Sequence, residues 1–254
     1  MHAIYGDVFL QEVVHCYLVG RLRKPLLSDW LPFLFDSEGQ FARSLFEIRR
    51  EEIISGRGRK TRIFLNPSER KIVWGNLQGL KGDGSSADYV RTKEEKEQHE
   101  RERHGYRELT FASRENFRNA LDRKPHLKAV HPTFYEVLPT QIDSMAETLM
   151  PIMLDTRPVT TALDQWRRDK SRYPYMTNTF ASHVYTQYLA MTDASAKVDP
   201  NAQADLDLML HLGNADILVS NETGYLKRAF ETLWQPLGKK LFTTNEFFNL
   251  IRSW

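Results

Sequence analysis

The run of residues 205–222 constrains the fold most, because it combines a helix, a tight turn and a short strand in one segment. Leu206 and Leu210 lie one helical turn apart, and Gly213 is placed to end that helix. Residues 217–219 are all apolar, as in parallel strands that are covered on both faces. The segment therefore predicts a helix followed by a buried strand, with polar residues directly after the strand.

Short apolar runs alternate with stretches of helical periodicity along much of the chain. We predict further strands at residues 2–6, 127–130 and 240–242, and helices at residues 8–19, 139–150 and 224–233. This alternation is typical of α/β proteins with a parallel sheet, in which functional groups gather at the carboxyl ends of the strands. Residues 39–55 predict another helix, and residues 63–65 and 71–74 predict a hairpin.

Composition sets broad limits on the class of protein. Hydrophobic side chains make up 41% of the 254 residues, which is enough for a core, and the single cysteine, Cys16, excludes an internal disulfide. The formal net charge is +2, from 35 basic and 33 acidic residues, so a nucleic-acid surface has to come from local clustering. The sequence shows neither a signal peptide nor an apolar run of about 18 residues. We therefore expect a cytoplasmic protein that does not enter a membrane.

Four acidic residues occupy strand ends or helix starts, where α/β enzymes often carry their catalytic carboxylates. They are Asp7 after the first predicted strand, Glu136 after the second, Asp205 at a helix start and Glu222 after the strand at 217–219. Carboxylates are the ligands that hard divalent cations prefer. Such cations supply what phosphodiester hydrolysis needs, a nucleophilic water and neutralisation of charge on the phosphate.

The C-terminal segment resembles the PIN-domain nucleases. In that family, a helix that begins with an acid leads into a strand, which is followed by a hydroxyl residue, an Asn-like residue and an acid. Here these features are Asp205, the strand at 217–219 and Ser220-Asn221-Glu222. Residues 238–248 resemble the closing strand and helix of the family. Residues 4–7 resemble its opening strand and first acid, and residues 129–138 resemble its second strand and acid-bearing helix.

The resemblance implies a PIN-like three-layer α/β fold with a central, mostly parallel sheet. Residues 1–254 would form one PIN-like domain, with residues 20–126 as a large helical and hairpin insertion between the first and second core strands. This insertion would select a substrate or a protein partner. The resemblance also implies an endoribonuclease that uses Mg²⁺ or Mn²⁺. The site residues that it assigns are Asp7, Glu136, Asp205 and Glu222 as metal ligands, with Ser220 and Asn221 orienting ligands or substrate.

Two of these assignments have rivals in the sequence. Glu47 lies in a Ser-Leu-Phe-Glu setting that also fits an acid-bearing helix of the family, so it competes with Glu136 for the second acid. Asp207 competes with Asp205, because both acids lie at the start of the same predicted helix. The sequence leaves both choices open.

Two other functions remain open beside the nuclease. The chain has Glu222 where the family usually has Asp, and Val8 and Phe9 follow Asp7 where the family has a hydroxyl residue and Asn. These departures favour a catalytically degenerate PIN-like module that binds RNA or a protein partner. The third possibility is an unrelated α/β enzyme with an acidic crevice.

Basic clusters are the remaining candidates for contacts with nucleic acid. They lie at residues 21–24, 57–62 and 167–170 and offer cations to a phosphate backbone, although most such clusters are simply solvated. Tyr173, Tyr175, Tyr185 and Tyr188 follow the last cluster and carry rings able to stack on bases. Their helical spacing favours packing in the core instead.

Overall fold

A computed structural model describes residues 3–18, 40–79, 133–154, 159–192 and 202–253, together with the single helical positions 94, 97, 115, 119 and 123. The chain divides into two compact units. Unit 1 comprises Met1–Ile48 and Arg62–Arg103, and unit 2 comprises Arg49–Thr61 and His104–Trp254. The predicted insertion at residues 20–126 contributes to both units, and its larger part lies outside the described residues, as does the predicted strand at 127–130.

The described part of unit 1 contains two short parallel strands and the helices that follow them. Its elements are β1 (Ile4–Tyr5), α1 (Asp7–Leu18), β2 (Gln40–Phe41), α2 (Leu45–Ile54), whose last part belongs to unit 2, and α3 (Pro67–Gly79). Ile4 is in register with Gln40. The Tyr5 ring lies 5.2 Å from the ring of Phe41, which is fully buried. This packing holds the two strands together, so the residues that follow them emerge at one edge.

Two local predictions in unit 1 are wrong. Residues 40–41, expected within a helix, form β2, and the predicted hairpin is replaced by α3. Asn66 and Glu69 form a reciprocal cap at the start of α3: Asn66 Oδ1 accepts the Glu69 N–H at 2.9 Å, and Glu69 Oε2 accepts the Asn66 N–H at 2.7 Å. Pro67 occupies the first helical position, where a backbone N–H is not needed. The sequence Asn-Pro-Ser-Glu therefore begins a helix here and does not turn a hairpin.

The described part of unit 2 is mainly helical. Its helices and strands are α4 (Phe134–Met153), α5 (Val159–Arg168), α6 (Pro174–Thr192), α7 (Ala202–Met209), β3 (Ile217–Val219), α8 (Tyr225–Leu233), β4 (Lys240–Phe242) and α9 (Thr244–Arg252). The 3-10 turns among the described residues of this unit lie at Gly58–Lys60, Lys170–Arg172, Leu210–Gly213 and Gln235–Leu237. The predicted helix, turn and strand of residues 205–222 are confirmed. The closing helix is capped by Thr243 and Glu246, a capping-box pair visible in the sequence.

Helix faces build the core of unit 2. α4 packs along α6, and α8 packs against α6 and α7. The largest side chains in this core are fully buried, and Trp166 places its ring 5.1 Å from Phe180. Trp166 Nε1 donates a hydrogen bond to Thr177 Oγ1 at 2.9 Å, so its one polar atom is satisfied within the core. Burial of such side chains stabilises a fold by roughly 1.5–3 kcal/mol each.

The predicted three-layer α/β fold with a central, mostly parallel sheet is wrong. The described residues are 75% helical, and their strands form two separate two-stranded sheets, β1 with β2 and β3 with β4. These strands are only two or three residues long, so they bury little apolar surface and the core comes from helix packing. Both pairs are parallel, with Leu218 opposite Leu241 in the second. Among the described helices, none is both long enough and apolar enough to cross a membrane.

Candidate functional site

In unit 1, Asp7 follows the carboxyl end of β1 and begins α1. Its Oδ2 atom accepts the backbone N–H of Leu45 at 3.2 Å, and Leu45 begins α2 shortly after β2. This bond forms because β1 and β2 are parallel, so the residue after one strand lies near the helix start that follows the other. Helix starts favour carboxylates, since their first N–H groups lack partners within the helix. The Asp7 carboxylate is therefore oriented by the start of α2.

Glu47 lies in the first turn of the same helix. Ser44 Oγ accepts the Glu47 N–H at 3.3 Å and so caps α2. The Glu47 side chain is 55% exposed, and Oε2 lies 3.6 Å from Nε of Arg43. One helix start thus carries Glu47 and binds Asp7. The Ser-x-x-Glu spacing of residues 44–47 is the sequence feature that identifies this helix start.

Glu136, the other candidate for the second acid, has a local structural role in unit 2. Its Oε2 atom accepts both the backbone N–H of Thr133, at 2.6 Å, and the Thr133 hydroxyl, at 2.9 Å. The pair forms the capping box at the start of α4. These hydrogen bonds, the backbone bond first, lower the pKa of Glu136. The carboxylate of Glu136 is therefore engaged at its own helix terminus.

The three residues after β3 lie where the sequence predicts them, at the carboxyl end of the strand. Asn221 bridges to the start of α9: its Oδ1 accepts the backbone N–H of Thr244 at 3.0 Å, and its Nδ2 donates to the Thr244 hydroxyl at 2.9 Å. Ser220 Oγ accepts the Glu222 N–H at 3.1 Å, and the Glu222 side chain is exposed. Asn221 and Ser220 thus shape this edge of the β3–β4 pair, and Glu222 faces solvent beside them.

Asp205 and Asp207 lie on α7, the helix that precedes β3. Asp205 is half-buried in the first turn of the helix. Asp207 Oδ1 accepts a hydrogen bond from Gln203 at 3.0 Å and lies 3.8 Å from Nη1 of Arg49. Asp207 is therefore paired with a partly buried arginine, and the choice between Asp205 and Asp207 as a metal ligand stays open.

The tyrosines near the third basic cluster belong to the core, as their spacing favours. Tyr173, Tyr175 and Tyr185 are each no more than 3% exposed. Tyr188 is half-buried and packs against the edge of Phe134, with ring centroids 5.8 Å apart. Their rings therefore stabilise unit 2, and three of the four are closed to stacking on bases.

Over the described ranges, no group of three or more His, Cys, Asp or Glu side chains is arranged to hold a metal ion. Asp7 and Glu47 both belong to the start of α2, Asp7 through its hydrogen bond from the Leu45 N–H and Glu47 as a residue of the first turn. Comparisons with protein-family models, with curated proteins and with solved structures find no match to this chain.

Proposed function

We propose that the chain is a nuclease that hydrolyses phosphodiester bonds in RNA with the help of Mg²⁺ or Mn²⁺. The hydrogen bond from Leu45 to Asp7 carries the proposal, because it holds one carboxylate against the helix start that bears Glu47. The proposal keeps the chemistry implied by the resemblance to PIN-domain nucleases and does not depend on a three-layer sheet. The single cysteine, Cys16, fits a reducing compartment, and we assign the activity to the cytoplasm.

The side chains near the start of α2 include oxygen ligands of the type that a hard divalent cation prefers. Asp7 and Glu47 offer carboxylate oxygens, and Ser44 offers a hydroxyl oxygen. Mg²⁺ and Mn²⁺ prefer such oxygen ligands. Asp7 and Glu47 would hold the ion there. When bound, it neutralises charge that develops on the phosphate and makes a water more acidic.

The chain's own groups contribute orientation. The Leu45 N–H fixes the Asp7 carboxylate before a ligand arrives, so the ligand does not have to reorganise it. The exposed Glu47 carboxylate is accessible from solvent. Asp205 and Glu222 belong to unit 2 and stay candidate metal ligands on the evidence of the sequence pattern alone.

Asp7→Asn tests the proposal. Asparagine keeps an oxygen that accepts the Leu45 N–H, so we expect the fold to persist, but it removes the charge that a cation needs. Metal-dependent cleavage of labelled single-stranded RNA should fall by at least about 100-fold. Asp216→Asn is the matched control, because the Asp216 side chain is 92% exposed and lies before β3. Cleavage by Asp7→Asn at the wild-type rate would contradict the proposal.

A second candidate function is binding without cleavage. Glu136 is hydrogen-bonded to Thr133, and Asn221 to Thr244. Glu222 lies where PIN-domain nucleases usually have Asp. These features favour a degenerate module that binds RNA, or a protein partner through residues 20–126. Wild-type protein that binds RNA but cleaves it with neither Mg²⁺ nor Mn²⁺ would support this function over the nuclease.

A further inference from the structure

In unit 2, two segments far apart in sequence form one basic surface, which we define as residues 55–61 and 167–172. Arg59 Nε donates to the backbone oxygen of Ser171 at 2.8 Å, and Arg172 donates to the backbone oxygen of Gly56. Gly58 lies so close to the 3-10 turn at Lys170–Arg172 that a Cβ atom on it would be 2.6 Å from the Arg172 backbone oxygen. The loop at residues 55–61 therefore packs directly against this turn within unit 2.

The two segments concentrate positive charge. They contain seven cationic side chains and one carboxylate, that of Asp169. The cations are Arg57, Arg59, Lys60, Arg167, Arg168, Lys170 and Arg172. The chain as a whole is nearly neutral at +2, so this local excess stands out against the rest of the sequence. Such an excess is the electrostatic feature expected of a surface for a polyanion.

Some of these cations are already paired. Nη1 of Arg57 lies 3.0 Å from Oε1 of Glu51, and Nζ of Lys170 lies 2.9 Å from Oδ1 of Asp143. Arg167 pairs with Glu147. Arg59, Lys60 and Arg168 are exposed and form no ion pair with any carboxylate in the part of the chain that the structure describes. Three accessible charges therefore remain on a surface whose shape is fixed by other contacts.

We infer that the basic surface binds the phosphate backbone of single-stranded RNA, an inference that rests on RNA as the substrate of the proposed function. Each phosphate that replaces its counterions with a Lys or Arg contact gains affinity by releasing those ions. Arg59 and Arg172 keep the loop on the turn, while Lys60 and Arg168 are available to phosphates. The surface binds the phosphate backbone of the RNA and does not discriminate between base sequences.

Nucleic acid suits this surface better than a membrane does. Peripheral membrane segments combine positive charge with exposed apolar side chains that enter the lipid interface. The large apolar side chains that are exposed in the described residues lie elsewhere, and none falls within residues 55–61 or 167–172. A surface of charge alone matches the polar, highly charged backbone of RNA.

The test compares two double variants that remove the same charge. Lys60→Ala with Arg168→Ala removes two exposed cations of the basic surface that form no ion pair with the described residues. Lys71→Ala with Arg252→Ala is the control, because these side chains are exposed, form no ion pair with described residues and lie outside the surface. Binding of fluorescein-labelled oligouridylate is measured by anisotropy in EDTA, so that metal-dependent cleavage does not interfere.

We expect the first double variant to bind more weakly and to lower the slope of log K against log salt by about 1.4, or about 0.7 for each phosphate that is no longer neutralised. The control should keep the wild-type slope. Equal binding by the two double variants would overturn the basic surface, even if the protein cleaves RNA. A changed slope without any cleavage would support the surface and reject the nuclease. Selective loss of binding to phosphatidylserine vesicles, with RNA binding unchanged, would overturn the inference in favour of a membrane.

Discussion

The carboxylate of Glu52 accepts the backbone N–H of Tyr175 at 3.0 Å, and its second oxygen accepts the N–H of Met176 at 2.9 Å. Both donors lie in the first turn of α6, whose first residue is Pro174. The side chain of Glu52 is 1% exposed. A buried acid on the last part of α2 thus satisfies the first N–H groups of a core helix, which a side-chain cap normally does from a neighbouring position.

Glu52 makes stability depend on pH. Burial raises the pKa of Glu52 to about 7, although the bonds from Tyr175 and Met176 act in the opposite direction. The folded state therefore holds a proton that the unfolded chain releases near its ordinary value of 4.5. This contribution to stability is complete below about pH 4.5 and is lost as the pH rises to about 7.

Chemical denaturation of wild type and Glu52→Gln across this pH range measures the effect. Glutamine does not titrate, so the wild type should lose stability relative to the variant as the pH rises. A difference that instead grows in favour of the wild type would mean that the two backbone N–H groups dominate burial and that Glu52 is ionised in the fold.

His211 gives the opposite dependence on pH. It is 6% exposed, and its Nδ1 lies 3.3 Å from the Tyr175 hydroxyl, while its Nε2 finds no hydrogen-bond partner among the described residues. Burial lowers the pKa of His211 to about 4 from its ordinary 6.5. The unfolded chain therefore takes up a proton that the folded protein excludes, and stability is lost as the pH falls from about 6.5 to about 4.

We expect His211→Phe to be less sensitive to acid than the wild type between these pH values. Phenylalanine is never protonated and leaves no unsatisfied ring nitrogen. His183, whose pKa burial also lowers to about 4, retains part of the acid sensitivity in the variant. NMR titration of the wild-type ring is the direct check, and a His211 that titrates near 6.5 would contradict this account.

Gly58→Ala should destabilise unit 2 more than Gly56→Ala. Both glycines have positive φ, of +53° and +62°, which costs other residues roughly 1–2 kcal/mol. At Gly56 a Cβ atom would meet nothing within 4 Å, whereas at Gly58 it would meet the backbone oxygen of Arg172. Gly56→Ala thus controls for the backbone strain alone. Equal losses in the free energy of unfolding would show that the loop is not seated on the turn.

Local chemistry explains what the sequence predicts well. The 3-10 turn that ends at Gly213, the apolar strand at 217–219 and the capping box of Thr243 with Glu246 each depend on residues a few positions apart. The hairpin predicted at residues 63–65 and 71–74 is wrong, although that prediction also depended on residues a few positions apart. Asn66 and Glu69 have the spacing of a reciprocal cap, and that pattern competes directly with the turn that Asn-Pro also predicts.

Contacts between residues far apart in the chain could not be predicted from the sequence. The bond that orients Asp7 comes from a residue 38 positions away, and the partner of Glu52 in α6 lies 123 positions away. The alternation of short apolar runs also does not distinguish a central sheet from two isolated strand pairs. Whether such runs join one sheet depends on long-range pairing, and here the apolar faces of α4 and α6 form the core instead.

We propose that Glu47, and not Glu136, is the acid that acts with Asp7. The cleavage rates of Glu47→Gln and Glu136→Gln test this assignment most directly. Glutamine at position 136 preserves the capping box of α4, so this variant should cleave single-stranded RNA within a few-fold of the wild type, with Mg²⁺ or Mn²⁺. Glu47→Gln removes a proposed metal ligand and should lose at least about 100-fold. Loss of cleavage in Glu136→Gln with wild-type rates in Glu47→Gln would contradict the account.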